Sequence, residues 1–360
     1  DSVDAIQDAA FNQGQPIACP PGVCFETGRL WRYVWTRDVA YASHLALALM
    51  DPQRARNSLE FKLSARRSGG DTQVVQDTGS GGSYPISTDR VVWALGARAL
   101  LNTLSGAART SFRDKAFDAL RNTVEHDRQV VFDPDTGLYR GEQSFLDWRE
   151  QSYPGWTATD VVHLGMSQAL STNVLHLAAL DLLASLATDK GEGGLAKKYA
   201  GWRDALRQQV DQRFWLEDEQ QYASFLTTTL DPAPVRRFDA LGTALAVLFA
   251  AGPDSHLSAA VAHYPLVAKG VPVLWPQQKE TPIYHNRAMW PFVNAYFAKA
   301  AARVGNAAVL DHAVDALIRG AALNLSHMEN FEMVSGAAKL DDGVYSGPVV
   351  NSHRQLWSVA

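Results

Sequence analysis

The chain has 360 residues, 46% of them hydrophobic and 20% charged, with a formal net charge of -5. That composition is ordinary for a soluble globular protein, and 33 basic against 38 acidic residues leave no footprint for nucleic acid or an anionic membrane. No uninterrupted apolar run reaches the roughly 18 residues that span a bilayer.

Twelve helical patterns follow one another, joined by connections that alternate between short and long. A first helical pattern ends near Asn12, and a long connection runs on to Arg37. This connection holds Cys19 and Cys24 in Ala18-Cys19-Pro20-Pro21-Gly22-Val23-Cys24. The two cysteines either close a small disulfide loop or remain reduced thiols beside a Pro-Pro-Gly turn. The chain starts at Asp1 with neither Met nor signal peptide, and disulfides favour oxidising compartments. An exported protein, periplasmic or secreted, is therefore the expectation, as is a chain that can be one domain of a longer protein. No second ligand pair follows at metal spacing, and neither metal nor cofactor is expected.

The second pattern, Asp38 to Met50, is apolar almost all round and turns at Asp51-Pro52 into the third. A long connection, Arg67 to Ser87, leads to the fourth, Val91 to Leu104, again apolar on every side. Ser105 to Ala108 joins it to the fifth, where Phe112, Ala116, Phe117, Leu120 and Val124 make one stripe. The long stretch Asp127 to Leu170 includes a short strand read at Gln129 to Phe132. Ser171-Thr172 then supplies an N-cap for the sixth helix, Val174 to Ala187. After Asp189 to Gly193 the seventh runs from Gly194 to Phe214 with Leu195, Tyr199, Trp202, Leu206, Val210 and Phe214 at helical spacing. Phe214 to Phe238 is long, with a strand at Gln221 to Phe225. The eighth helix, Ala240 to Ala251, is apolar all round, and Gly252 to Asp254 leads to the ninth. Tyr264 to Asn286 precedes the tenth, Ala288 to Ala302, also apolar. Gly305 separates it from the eleventh, and Leu325 to Asn351 leads to the twelfth.

A helix apolar all round is buried on every side, and an amphipathic one covers a surface. The even helices therefore form an inner ring and the odd ones an outer ring. The expectation is an all-α (α/α)6 barrel, a single domain over residues 1–360, with all six long loops at one mouth. Loops beyond about 12–15 residues are uncommon unless they carry function.

Those loops hold a distinctive set of side chains. Trp31-Arg32-Tyr33-Val34-Trp35-Thr36-Arg37-Asp38 stands before the second helix. A Gly-rich run from Asp77 to Pro85, then Asp89-Arg90, stands before the fourth. Glu142 and Phe145-Leu146-Asp147-Trp148-Arg149-Glu150 lie before the sixth. The eighth opens on Arg236-Arg237-Phe238-Asp239 and the tenth on Tyr284-His285-Asn286-Arg287-Ala288-Met289-Trp290. Met328-Glu329-Asn330-Phe331-Glu332 and Asn351-Ser352-His353-Arg354 precede the twelfth. Helix N-termini favour carboxylates by about 0.3–1 kcal/mol, so Asp38, Asp89 and Asp239 also read simply as helix caps. Caps do not account for the neighbouring Trp, Tyr and Arg.

Those residues resemble the six-hairpin glycosidases, the (α/α)6-barrel domains of glucoamylases, glucosidase-I-like enzymes, trehalases and bacterial α-L-rhamnosidases. Trp35-Thr36-Arg37-Asp38 is similar to the Trp-Pro-Arg-Asp of glucoamylase-like enzymes and the Trp-Thr-Gly-Asp of rhamnosidases, whose Asp binds sugar hydroxyls. Glu329-Asn330-Phe331, then Ser335-Gly336 and Ser352-His353, resembles the late segment that carries the catalytic base. The Asp-Glu-Arg that rhamnosidases carry upstream is absent, with Gly28-Arg29-Leu30-Trp31 there instead, and the glucoamylase Leu-Trp-Glu-Glu has only Phe145 to Glu150 as counterpart. The subfamily and the sugar stay open.

The resemblance implies a glycoside hydrolase. Such enzymes need two carboxyls flanking the bond, ~6.5–9.5 Å apart when they invert. Asp147 is assigned as general acid, because its neighbours Phe145, Leu146 and Trp148 would raise its pKa; Glu142 and Glu150 are rivals. Glu329 is assigned as general base, with Glu332 as rival. Trp35, Arg37, Asp38, Asp89, Trp148, Arg149 and Trp290 would hold a neutral glycoside or oligosaccharide, with His285 and His353 as hydroxyl donors. A sugar epimerase would need paired histidines, for which His285 and His353 are the candidates. A polysaccharide lyase would need a Tyr or His base, and the carboxylates are wrong for its acidic substrate. A carbohydrate-binding toroid would need the aromatics but not two facing acids.

Overall fold

A computed structural model describes residues 19, 23–30, 34–64, 71–75, 89–146, 161–227, 232–278, 283–338 and 351–360, the side chains of Asp89 and Val161 excepted. Numbered from the first described helix, α1 is Thr36–Ala42, which continues through a π-helical turn, Ser43–Leu47, to Ala48–Met50. There follow α2 (Pro52–Phe61), α3 (Trp93–Thr103), α4 (Gly106–Val130), α5 (Leu170–Asp189), α6 (Gly193–Phe214), α7 (Ala240–Leu248), α8 (Asp254–Ala262), α9 (Pro291–Arg303), α10 (Ala307–Asn324) and α11 (Leu356–Val359), with a short unnumbered helix, Val161–Met166, in the loop before α5.

The odd helices close a ring. α1 packs on α3, α3 on α5, α5 on α7, α7 on α9, α9 on α11, and α11 returns to α1. The even helices lie outside. Sixteen of the twenty residues of α5 are buried, against Tyr199, Leu206, Val210 and Phe214 alone among the twenty-two of α6. That contrast is the two-ring pattern expressed as burial, each enclosed Leu contributing roughly 1.5–3 kcal/mol. α5 is long and apolar enough to cross a membrane by length and composition, but 89% of its apolar window is buried inside the protein, so it reads as a core helix. At Gly96 a Cβ would lie 3.1 Å from the Cα of Ala40, so the missing side chain lets α3 and α1 approach closely.

Two-residue strands stitch the hairpins together where the inner helices start. Gln168–Ala169, just before α5, pairs with Phe225–Leu226; Phe238–Asp239, before α7, pairs with Leu274–Trp275; Ala288–Met289, before α9, pairs with Phe331–Glu332. The last and first hairpins join through Arg29 N–H to His353 O and Leu356 N–H to Thr27 O. At the opposite end, Arg303 donates to Leu248 O at 2.6 Å and Arg207 to Ala250 O at 2.9 Å, which satisfies carbonyls left at the end of α7.

Several local expectations change. Gln129 and Val130 belong to α4, and the strand begins at Phe132. Ser171 and Thr172 do not cap α5, which starts at Leu170; their hydroxyls instead hold the preceding loop, Ser171 Oγ accepting from Ser144 N at 2.9 Å and Thr172 Oγ1 donating to Glu142 O at 2.6 Å. The π turn carries His44, hydrogen-bonded to the Tyr296 hydroxyl at 2.8 Å and pushed down to about 3 by burial, then by the charges of Lys299 and Arg98. Behind α5, Asp127 is fully buried between Arg90 and His176. Cys19 and Cys24 form a disulfide.

Candidate active site

The segment 351–357 closes the ring, and two acids far apart in sequence converge on it. Glu329 lies on the loop before the Phe331–Glu332 strand. Its Oε2 accepts from the Ser352 amide at 2.8 Å, and its Oε1 accepts from the Tyr284 hydroxyl at 2.8 Å. The backbone is equally fixed: Glu329 N donates to Ser352 O at 2.9 Å and to Asn351 Oδ1 at 3.0 Å. Asn351 also accepts from Asn330 N and donates to the carbonyls of Asn330 and Ala338, so one amide clamps both sides of the acidic loop. Glu329 is 2% exposed. Donors aimed at both oxygens favour its ionised form.

Asp38 approaches the same segment from α1. Trp35 is the N-cap residue of α1, without a side-chain cap bond, and Asp38 sits inside the first turn. Its Oδ1 accepts from Gln355 Nε2 at 3.3 Å, three residues beyond the Ser352 that holds Glu329. Trp35, Arg37 and Asp38 are all buried. The Asp-at-helix-start pattern therefore covers two situations. Asp239 is a true cap, accepting from Leu241 N at 2.9 Å, and burial pushes its carboxyl up to about 7. Asp38 is bonded across the ring instead.

An aromatic cluster drawn from four hairpins adjoins the groups that hold these acids, Tyr284 packing on Trp290 at 5.0 Å. Phe145, from the loop before α5, meets His285, Trp290 and Phe292 edge-on at 4.6–4.8 Å and Trp357 at 5.6 Å. Phe292 stacks on Trp357 at 4.0 Å, and Tyr41 of α1 touches Phe292 and Tyr296. Tyr41 and Ser144 share a hydrogen bond of 2.7 Å, which ties the loop of Phe145 to α1. Phe145 has φ +71°, a left-handed conformation that costs a bulky residue strain and that surrounding packing must enforce. Such strain gathers at functional loops, and Asp147 follows two positions later.

Asp147, Trp148, Arg149 and Glu150 lie outside the described residues, as does the Asp89 side chain, whose backbone is in the 3-10 turn Asp89–Val92. Phe145 and Leu146, the described part of the apolar collar expected around Asp147, are buried. Glu142 is fully buried on the same loop. Glu332 faces its own turn: Oε2 accepts from the Val334 and Ser335 amides and the Ser335 hydroxyl at 2.6–3.0 Å. His285 is buried, its Nδ1 without a hydrogen-bond partner among the described residues, and burial together with the Arg37 charge holds its pKa well below the usual histidine range. A neutral imidazole offers either a donor or an acceptor. Trp290 is 1% exposed and gives its indole N–H to Tyr284 O at 2.8 Å, so it supports the cluster. His353 is half-buried beside its backbone bridge to Met328. Among the described residues no group of three His, Cys, Asp or Glu is arranged to hold a metal ion.

The sequence assigns no role to Tyr284, Asn351 or Gln355, and marks Ser352 only as part of the late segment. Tyr284 stands beside His285 in a loop already marked, which was the available signal. Gln355 had none, because its role exists only once α11 meets α1.

A family model described as the mannosylglycerate hydrolase MGH1-like glycoside hydrolase domain matches residues 32–358. The solved GH63 mannosylglycerate hydrolase from Thermus thermophilus, in complex with Tris, aligns with a TM-score of 0.69 at 14% identity, over 98% of this chain and 97% of that one. The GH78 rhamnosidase of Bacillus sp. GL1 aligns at 0.63 and 15% identity, over 91% of this chain and 31% of that one. The neutral trehalase of Saccharomyces cerevisiae aligns at 0.62 and 11% identity, over 91% and 72%. A search of curated protein sequences found no significant match. These solved structures share the (α/α)6 fold, and the family model covers both the Trp35–Asp38 and the Glu329–His353 segments. The chain is a six-hairpin glycosidase and belongs to the MGH1-like glycoside hydrolase family.

Proposed function

We propose that this glycoside hydrolase works by inversion, with Glu329 as general base and Asp147 as general acid, on a glycoside whose cleaved sugar is neutral. The setting of Glu329 carries the reading: a buried carboxylate with a donor on each oxygen, at the mouth where Asp38 also converges. An ionised Glu329 takes a proton from water as the water oxygen bonds to the anomeric carbon. Asp147 gives its proton to the departing oxygen. Asp38, Arg37, Trp35, Asp89, Trp148 and Arg149 hold the sugar, and His285 and His353 bond its hydroxyls. Mannosylglycerate, the compound in the name of the Thermus protein, is the first substrate to try.

Removing a general acid or base costs ~10²–10⁴-fold in rate. Glu329→Gln should abolish turnover of natural and aryl glycosides alike. Asp147→Asn should cripple substrates with poor leaving groups and partly spare activated aryl glycosides. Proton NMR should show the product first in the anomeric form opposite to the substrate's. Retained activity in Glu329→Gln, or a product of unchanged anomeric form, would remove the assignment. We also propose export, supported by the Cys19–Cys24 disulfide. Thiol labelling of fractionated host cells that found the protein reduced in the cytosol would overturn it.

A further inference from the structure

Glu329 is held by two hairpins at once. Ser352 N, in the ring-closing segment, holds Oε2; the Tyr284 hydroxyl, from the loop before α9, holds Oε1 at 2.8 Å. A backbone amide is generic and any residue but proline would supply it. The phenol is specific, and its placement is over-determined. Trp290 packs edge-on against the Tyr284 ring at 5.0 Å, and the same indole donates to the Tyr284 carbonyl at 2.8 Å. The His285 ring lies 4.7 Å from the Tyr284 ring. Tyr284 N donates to Asn286 O, and the Asn286 side chain accepts from Gln278 N and donates to Gln278 O, so the whole turn is braced. Four contacts thus aim one O–H at one carboxylate oxygen.

We propose that Tyr284 is a positioning residue for the general base, one that orients the Glu329 carboxylate and keeps it ionised at the pH of catalysis. The proposal rests on Glu329 being the base. Tyr284 transfers no proton: its hydrogen stays on the phenol oxygen while Glu329 takes the proton of the attacking water. A hydrogen bond made to the charged form of a carboxylate favours that form. Losing the phenol therefore makes Glu329 easier to protonate and freer to rotate, two effects that appear in turnover rather than in substrate binding.

The test is Tyr284→Phe beside Glu329→Gln, with kcat, KM and full pH profiles for a substrate that the wild type turns over. In Tyr284→Phe we expect kcat to fall about tenfold or more, KM to change less than about threefold, and the acidic limb of the kcat profile to move up by roughly one pH unit. A limb that stays in place, or a loss confined to KM, overturns the positioning role even when Glu329→Gln is inactive. An active Glu329→Gln overturns the base assignment and this proposal with it. Thermal unfolding shows whether the phenylalanine variant is folded. If it is not, 3-fluorotyrosine at 284 keeps the ring, makes the hydroxyl a stronger donor, and should move the acidic limb downward; an unmoved limb in that protein is equally fatal.

Discussion

Asp239 offers a stability test in which the sign is unusual for a carboxylate. It caps α7 through Leu241 N at 2.9 Å and is fully buried. Burial penalises the charged form and pushes the carboxyl from 3.8 up to about 7, although the amides of Gly242 and Leu241 work against it. The folded protein therefore keeps this proton after the unfolded chain has lost it. Its contribution to stability is full below pH 4 and shrinks as pH rises to about 7. A rise of about three pH units at about 1.36 kcal/mol each corresponds to about 4 kcal/mol lost across that window. Asp239→Asn retains an oxygen for Leu241 N and cannot ionise. Urea unfolding of both proteins at pH 4, 5.5, 7 and 8 should show near-equal stability at pH 4 and a growing advantage for Asp239→Asn, reaching a few kcal/mol at pH 8. Two stability curves that stay parallel over this range would show that Asp239 is ionised, or solvated, throughout, and the burial argument would fail.

Two other substitutions probe the ring and the mouth. Asp127→Ala should destabilise by about 3–5 kcal/mol in denaturant unfolding, because it leaves the buried guanidinium of Arg90 without its carboxylate and His176 without its acceptor; a loss under about 1 kcal/mol would mean that water reaches Arg90. Asp38→Asn should lower kcat/KM by roughly ten- to 150-fold, the worth of about 1.5–3 kcal/mol for a hydrogen bond to a charged group, with little change in unfolding temperature. Full activity with about 1 kcal/mol of lost stability would instead limit Asp38 to closing the ring through Gln355.

The sites that were legible in sequence and those that were not differ in the range of the forces involved. Trp35-Thr36-Arg37-Asp38 and Glu329-Asn330-Phe331 stand out as local strings, and the structure brings Asp38 and Glu329 to one segment. With Glu332 next in the chain, the second string leaves a rival carboxylate that only the structure separates from Glu329. Glu329 and Glu332 are three residues apart, yet one is held between Tyr284 and Ser352 and the other is spent on the turn to Ser335. The strand pairing of Phe331–Glu332 with Ala288–Met289 is what decides which carboxylate faces the ring-closing segment.

Periodicity by itself determined the architecture. An all-round apolar helix has no face to show water, so α1, α3, α5, α7 and α9 had to be inside, and the amphipathic α4 and α6 had to cover them. Local chemistry was less decisive: Ser171-Thr172 looks like a cap but reaches sideways to Ser144 and Glu142, because a neighbouring loop competes for the same hydroxyls. Closure of the ring decided the rest. The bond from Gln355 to Asp38 spans 317 positions and that from Tyr284 to Glu329 spans 45, and no spacing rule relates such residues. They meet because six hairpins, each too apolar to stand alone, bury their inner helices against one another until the last lies against the first.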